Sequence, residues 1–97
     1  MAVTVIVDLL GKPGSADEIM SFVRSIVPDT RTFDGFQSVT MHQNQDDPDL
    51  LVLREQWESR EQQEKYLAWR TERGDFATIV GMLAEAPSIR YFDAVEL

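Results

Sequence analysis

Ninety-seven residues at 43% hydrophobic content make one domain with a small core, and the formal net charge of −8 sets the chain against polyanions. Nucleic acid and anionic membrane surfaces are excluded as partners, since both demand clustered Lys and Arg. With no cysteine, the chain has no disulfide, thiolate zinc site or cysteine nucleophile, and a cytoplasmic location is expected.

The N-terminus carries no basic leader and only a short apolar run, so it reads as a strand rather than a signal peptide, and no run reaches membrane-spanning length. Val3–Leu10 is the first strand, with Val3, Val5, Val7 and Leu9 on one face and Thr4, Ile6, Asp8 and Leu10 on the other. Asp8 is either a rim residue or a buried carboxylate with a raised pKa. Gly11-Lys12-Pro13-Gly14 is turn chemistry. Ser15-Ala16-Asp17-Glu18 has capping-box spacing and opens a helix that buries Ile19, Phe22, Val23, Ile26 and Val27. Pro28 ends or kinks that helix, and residues 28–32 are open between a further helical turn and a loop.

Asp34-Gly35 forms a turn before a second strand, Phe36 to Gln43. Strict alternation puts Phe36, Ser38, Thr40 and His42 on one face and Gln37, Val39, Met41 and Gln43 on the other. Asn44 to Asp49 is a polar hairpin loop. Leu50 to Leu53 are apolar without a gap, which suits a strand buried on both faces and running on to Trp57. Ser59 and Gln62 then make a second capping box for a helix from about Arg60 to Arg73, striped by Gln63, Tyr66, Leu67 and Arg70 and stopped by Gly74. A further helix, about Asp75 to Ala84, places Phe76, Ile79, Val80 and Leu83 on one side. Pro87 breaks it, and Ile89 to Val95 is the last strand.

The order β-α-β-β-α-β, its second helical region split, is the ferredoxin-like α+β plan: a four-stranded antiparallel sheet with helices on one face, as a single domain over residues 1–97. The opposite sheet face is left open although the first and third strands are apolar on both sides. An uncovered apolar face is an association surface, and a homodimer packed sheet against sheet is expected.

The run Leu51-Val52-Leu53-Arg54-Glu55-Gln56-Trp57-Glu58-Ser59-Arg60-Glu61 resembles the E-x-W-x-S strand-to-helix junction of the antibiotic biosynthesis monooxygenase superfamily, whose members are dimeric α+β barrels. The resemblance implies a pocket between sheet and helices of each protomer. It also implies oxidation of a reduced aromatic, a quinol or an anthrone-like polyketide, by O₂ without cofactor or metal. The superfamily's haem-degrading branch uses a histidine after the central strand and an asparagine on the first strand; here residues 60–84 hold no His and the first strand no Asn. Against the cofactor-free oxygenases Trp57 matches the strand tryptophan. Leu53 stands where they carry an asparagine, and Gln63 where they carry a tyrosine, with Tyr66 one turn further. These departures leave two alternatives: a small-molecule binding or accessory protein of the same fold without turnover, and an isomerase or cyclase acting on an aromatic precursor.

Candidate site residues follow from the same stretch. His42 is the one side chain with an unperturbed pKa near neutrality and is the default base, unless it is simply a hairpin surface residue. Tyr66 is a donor to a developing phenolate, or a packing tyrosine. Trp57 is a pocket wall, or a core plug whose indole N–H needs a partner. Trp69, Arg70, Glu55 and Phe76 complete the expected substrate-binding set. Arg70 either holds an oxyanion or pairs with an acid such as Glu55 or Asp8. One His and no paired ligand spacing give no metal site, and Asp46-Asp47-Pro48-Asp49 reads as a solvated hairpin. Gly-rich phosphate loops and nucleophile elbows are absent from the sequence.

Overall fold

The structure, a computed structural model, describes residues 2–97. Its elements run β1 (Val3–Leu10), α1 (Ala16–Thr30), β2 (Phe36–Gln43), β3 (Leu50–Trp57), α2 (Arg60–Arg73), α3 (Asp75–Val80) and β4 (Ser88–Phe92). All strand pairings are antiparallel and the sheet order is β2-β3-β1-β4. This is the ferredoxin-like α+β arrangement expected from the sequence.

The two central strands set the layers. In β1 the residues Val3, Val5, Val7 and Leu9 are buried and alternate with half-buried Thr4, Ile6, Asp8 and Leu10. The buried set meets Ile19 and Val23 of α1, Tyr66 of α2, and Leu51 and Trp57 of β3 in one core. The helices therefore cover one face only. Across the other face lie Ile6, Val52 and Phe92, interleaved with Thr40, Arg54 and Arg90 by the strand registers. Asp8 belongs to this open face, where Arg90 reaches it at 3.1 Å. It is a rim ion pair and not a buried acid.

Several boundaries differ from the sequence expectation. Helix α1 runs through Pro28 to Thr30: the ring costs one backbone donor, yet Arg31 N–H still bonds the Val27 carbonyl at 3.0 Å. Ser15 does not act as a capping box, because its hydroxyl is spent as a donor to the Lys12 carbonyl at 2.6 Å and the Met82 carbonyl at 3.2 Å. Ser59 does cap α2, accepting from Gln62 N–H at 3.2 Å; the Gln62 amide oxygen takes the Ser59 hydroxyl proton instead of reaching the backbone. Helix α3 stops at Val80, not Ala84, because the chain turns there to pair with the end of β1. Ala84 N–H bonds Leu10 O at 2.8 Å and Lys12 N–H bonds Met82 O at 2.9 Å. Val80 is consequently exposed, whereas Leu83 is buried beside the β1 terminus. Strand β4 ends at Phe92 opposite Thr4, not at Val95, since β1 itself begins at Val3 and offers little further backbone.

The faces of β2 also differ. Phe36 pairs with Trp57 and Ser38 with Gln56, so Gln37 is an extra residue in a β-bulge. The bulge rotates Phe36 onto the helix-covered face, where its ring meets Trp57 edge-on at 5.4 Å, while Ser38, Thr40 and His42 stay on the open face.

Gly35, just before this bulge, has φ +87°, and a Cβ built there would lie 2.5 Å from the Gln62 side chain. Gly35→Ala is expected to cost about 1–3 kcal/mol in urea unfolding, from the left-handed backbone and the displaced Gln62 cap together. A cost below a few tenths of a kcal/mol would show that the turn relaxes freely.

Candidate active site

A cavity of about 80 Å³ lies between sheet and helices. Val7, Leu53 and Ile89 come to it from the strands, and Val23, Leu67 and Phe76 from the helices. Polar groups enter from two directions: Glu55 from β3, and Gln63, Tyr66 and Arg70 from α2, joined by Thr30 of α1.

Glu55 is brought there by strand alternation, two residues from both Leu53 and Trp57. It is 7% exposed and Oε1 accepts the Trp57 indole N–H at 2.8 Å. Burial raises its pKa above the ordinary glutamate value of 4.5, and the Trp57 hydrogen bond opposes this only in part. Trp57, fully buried, is thus the support of the acid rather than a wall of the cavity.

Helical spacing aligns Gln63, Tyr66 and Arg70 on one stripe of α2. Arg70 Nε donates to the Tyr66 hydroxyl at 2.8 Å, Nη2 to Thr30 Oγ1 at 2.9 Å and the Ile26 carbonyl at 2.7 Å, and Nη1 to Asp75 at 2.8 Å. Tyr66 and Thr30 hydroxyls share a further bond of 2.7 Å. The partner acid of Arg70 is therefore Asp75 at the start of α3, not Glu55 or Asp8. Burial opposes the Asp75 charge, but hydrogen bonds from Arg70 and Arg73 outweigh it and hold its pKa below the ordinary aspartate value. Gln63 accepts the Tyr91 hydroxyl on Oε1 at 2.6 Å. Every fully buried side-chain polar atom among the described residues has a partner. Glu55 Oε2 and Gln63 Nε2 have none and are therefore not sealed from solvent, and both residues line the cavity.

The structure brings together Glu55, Tyr66, Arg70 and Phe76 of the expected set. Trp69 lies outside the cavity, half-buried, tilted on Phe33 at 5.3 Å and flanked by the Arg70 and Arg73 guanidinium groups. His42 is not in the cavity: it is exposed on the opposite sheet face, paired in register with Val52. Thr30 and Asp75 were missed. Thr30 falls seven residues after Val23 on the buried face of α1, a position visible once the helix is carried past Pro28. Among the described residues, no three His, Cys, Asp or Glu stand together as metal ligands, and no helix is long and apolar enough to cross a membrane.

Beside the cavity runs an open groove of about 270 Å³ between α1 and the edge strand β2. Val23, Val27, Val39 and Leu53 line both spaces, so the groove adjoins the cavity.

A helix-covered antiparallel sheet that encloses one acid in an apolar chamber defines a small ferredoxin-like domain with an internal cavity. The family model described as antibiotic biosynthesis monooxygenase matches residues 2–73, and the chain belongs to that family. Solved structures share the fold. A conserved protein from Methanosarcina mazei superposes with a TM-score of 0.85 at 18% identity, over 95% of this chain and 91% of that one. A crystal structure described as an antibiotic biosynthesis monooxygenase gives 0.84 at 22% identity, over 97% and 99%. A variant of SnoaB, a cofactor-independent oxygenase from Streptomyces nogalater, gives 0.84 at 16% identity, over 99% and 95%. No curated protein matches the sequence.

Proposed function

We propose that this chain is a cofactor-independent monooxygenase that oxidises a reduced aromatic, a quinol or an anthrone-like compound, with O₂. The observation that carries the reading is Glu55: a carboxyl with a raised pKa and a free oxygen at the wall of an apolar chamber. Once ionised, such a group is a stronger base than an ordinary carboxylate. Gln63 Nε2 offers a neutral donor to the oxyanion that forms, and the apolar walls keep water from quenching it. Family membership supports the choice of O₂ as the electron acceptor.

For an anthrone-like CH₂ group the balance is simple. Glu55 takes one proton, leaving a carbanion delocalised onto the ring oxygen. One electron passes to O₂, and the two radicals combine into a C–O bond, giving a peroxide anion. Glu55 returns its proton to make the hydroperoxide, then removes the second C–H proton. The O–O bond breaks, hydroxide leaves and takes up that proton, and the products are one ketone and one water.

O₂ uptake by chelator-treated protein with hydroxyanthrones and hydroquinones tests the reading. Uptake above the autoxidation blank, one O₂ per ketone formed from the anthrone, is expected. Product formed equally under argon would replace the oxygenase with an isomerase or cyclase. Ligand bound and returned unchanged across the panel would leave a binding protein.

The reading includes a homodimer formed through the open sheet face, supported by the exposed Phe92 and half-buried Ile6 and Val52 there. Sedimentation equilibrium at micromolar concentration is expected to give twice the chain mass, and Val52→Glu to give the single-chain mass. A wild-type monomer would sink this part of the proposal alone.

A further inference from the structure

The groove beside the cavity carries charge that the chamber's chemistry does not use. Arg24 and Arg31 of the α1 side line it, together with Pro28, over an apolar floor of Val27, Met41 and Leu53. They are seven residues apart, two helical turns, so both stand on the same side of α1. Both are exposed, and among the described residues neither has a carboxylate within ion-pair distance. Helix spacing offers them none: the positions three and four away within α1 are Met20, Ser21, Val27 and Pro28. In a chain with 17 acidic and 9 basic residues, two unpaired arginines over one apolar groove are out of keeping with the surface charge. Arg31 gains from the negative end of the α1 dipole, but Arg24, two turns back, does not.

We propose that this groove is the outer half of the substrate site and that the substrate is an aromatic acid. Its ring system lies on Val27, Met41 and Leu53, and its carboxylate is held by Arg24 and Arg31. Its oxidisable end points past Val23, Val27, Val39 and Leu53, which line both spaces, toward Glu55. The two spaces fit unequal parts of one ligand: about 270 Å³ outside receives the body of the molecule, and about 80 Å³ inside receives the reacting carbon and its oxygen. A guanidinium fork suits a carboxylate, which presents two acceptor oxygens in a plane. The inference deepens the oxygenase reading by naming the charge of its substrate, and rests on that reading for the role of the inner chamber.

Binding and turnover are separated by using ligands with nothing to oxidise. Titration calorimetry at low salt compares 2-naphthoate with 2-naphthamide, a neutral partner of the same shape. The acid is expected to bind about tenfold or more tightly, the scale of one charge-assisted hydrogen bond, with the preference falling as salt is raised. The Arg24→Gln/Arg31→Gln double variant is expected to bind both ligands alike. Arg24→Lys/Arg31→Lys should keep part of the preference, and Lys65→Gln, in an exposed α2 surface pair, all of it. Circular dichroism checks that each variant is folded. Equal affinity for acid and amide, no binding of either, or an unchanged preference in the double glutamine variant overturns the proposal. Acid-selective binding without O₂ uptake by any quinol would instead remove the oxygenase reading and leave the groove's selectivity standing.

Discussion

Glu55→Gln is expected to fold, to bind ligand and to lose turnover by about 10²–10⁴-fold, the range for removing a general base. The substitution keeps an oxygen to accept the Trp57 indole N–H and adds only an amide at the cavity wall, so the loss reads on proton transfer and not on packing. The pH dependence has a definite sign. The base works ionised, so wild-type kcat/KM rises with pH through the raised folded pKa and is flat above it. Stability runs the other way. Because folding raises the Glu55 pKa, the folded state prefers the proton; the resulting stability is whole below 4.5 and is lost as pH climbs from there through the folded value. Near neutrality Glu55→Gln should therefore melt above the wild type, and below pH 4.5 the two curves should converge. A variant that retains full turnover would move the base elsewhere. A variant less stable at neutral pH would show that the carboxylate is better solvated than its burial implies.

Arg70→Met should be the most damaging single change to stability, at about 3–5 kcal/mol in urea unfolding, the cost of breaking a buried ion pair from one side. The Arg70 side chain is 4% exposed and joins all three helices: Ile26 and Thr30 on α1, Tyr66 on its own helix, and Asp75 on α3. Methionine fills similar space but leaves those acceptors facing a thioether. Lys65→Met, whose side chain is 72% exposed, is the control and should cost no more than about 0.5 kcal/mol. Asp75 supplies a second check. Its folded pKa is depressed, so its contribution is present above the ordinary value of 3.8 and is lost as pH falls through the folded one. The gap between wild type and Arg70→Met should accordingly narrow in acid. A cost below about 1 kcal/mol would mean that water, not Arg70, satisfies the cluster.

Local patterns made most of the fold legible. The apolar run from Leu50, the Ser59 cap and the αL Gly74 mark β3 and α2 at their observed ends, although only Leu51 of Leu50–Leu53 is fully buried, and the double alternation of β1 foretells both the core and the open face. What escaped depends on contacts distant in sequence. The end of α3 is set by pairing with the end of β1, which helix propensity does not encode, and the Ser15 hydroxyl is shared between the nearby Lys12 carbonyl and the distant Met82 carbonyl. Pro28 was an ambiguous stop signal, and with it went Thr30. The site divides in the same way. Strand period puts Glu55 on the face of Leu53 and Trp57, whereas its rank above His42 required knowing which acid is desolvated. His42 drew notice for its intrinsic pKa, and strand geometry alone decides that it looks away from the chamber.

The 2.8 Å bond between Trp57 and Glu55 also makes the acid optically visible. An indole whose N–H touches a carboxyl feels that group's charge directly, so its emission colour depends on whether the proton is on or off. Trp69 is the chain's other fluorophore of this kind and makes no hydrogen bond to Glu55. With it changed to phenylalanine, the remaining spectrum becomes an indicator dye wired to one titrating atom. The protonation state of the chamber can then be followed in real time, in the resting protein and as a ligand enters, before any substrate has been identified.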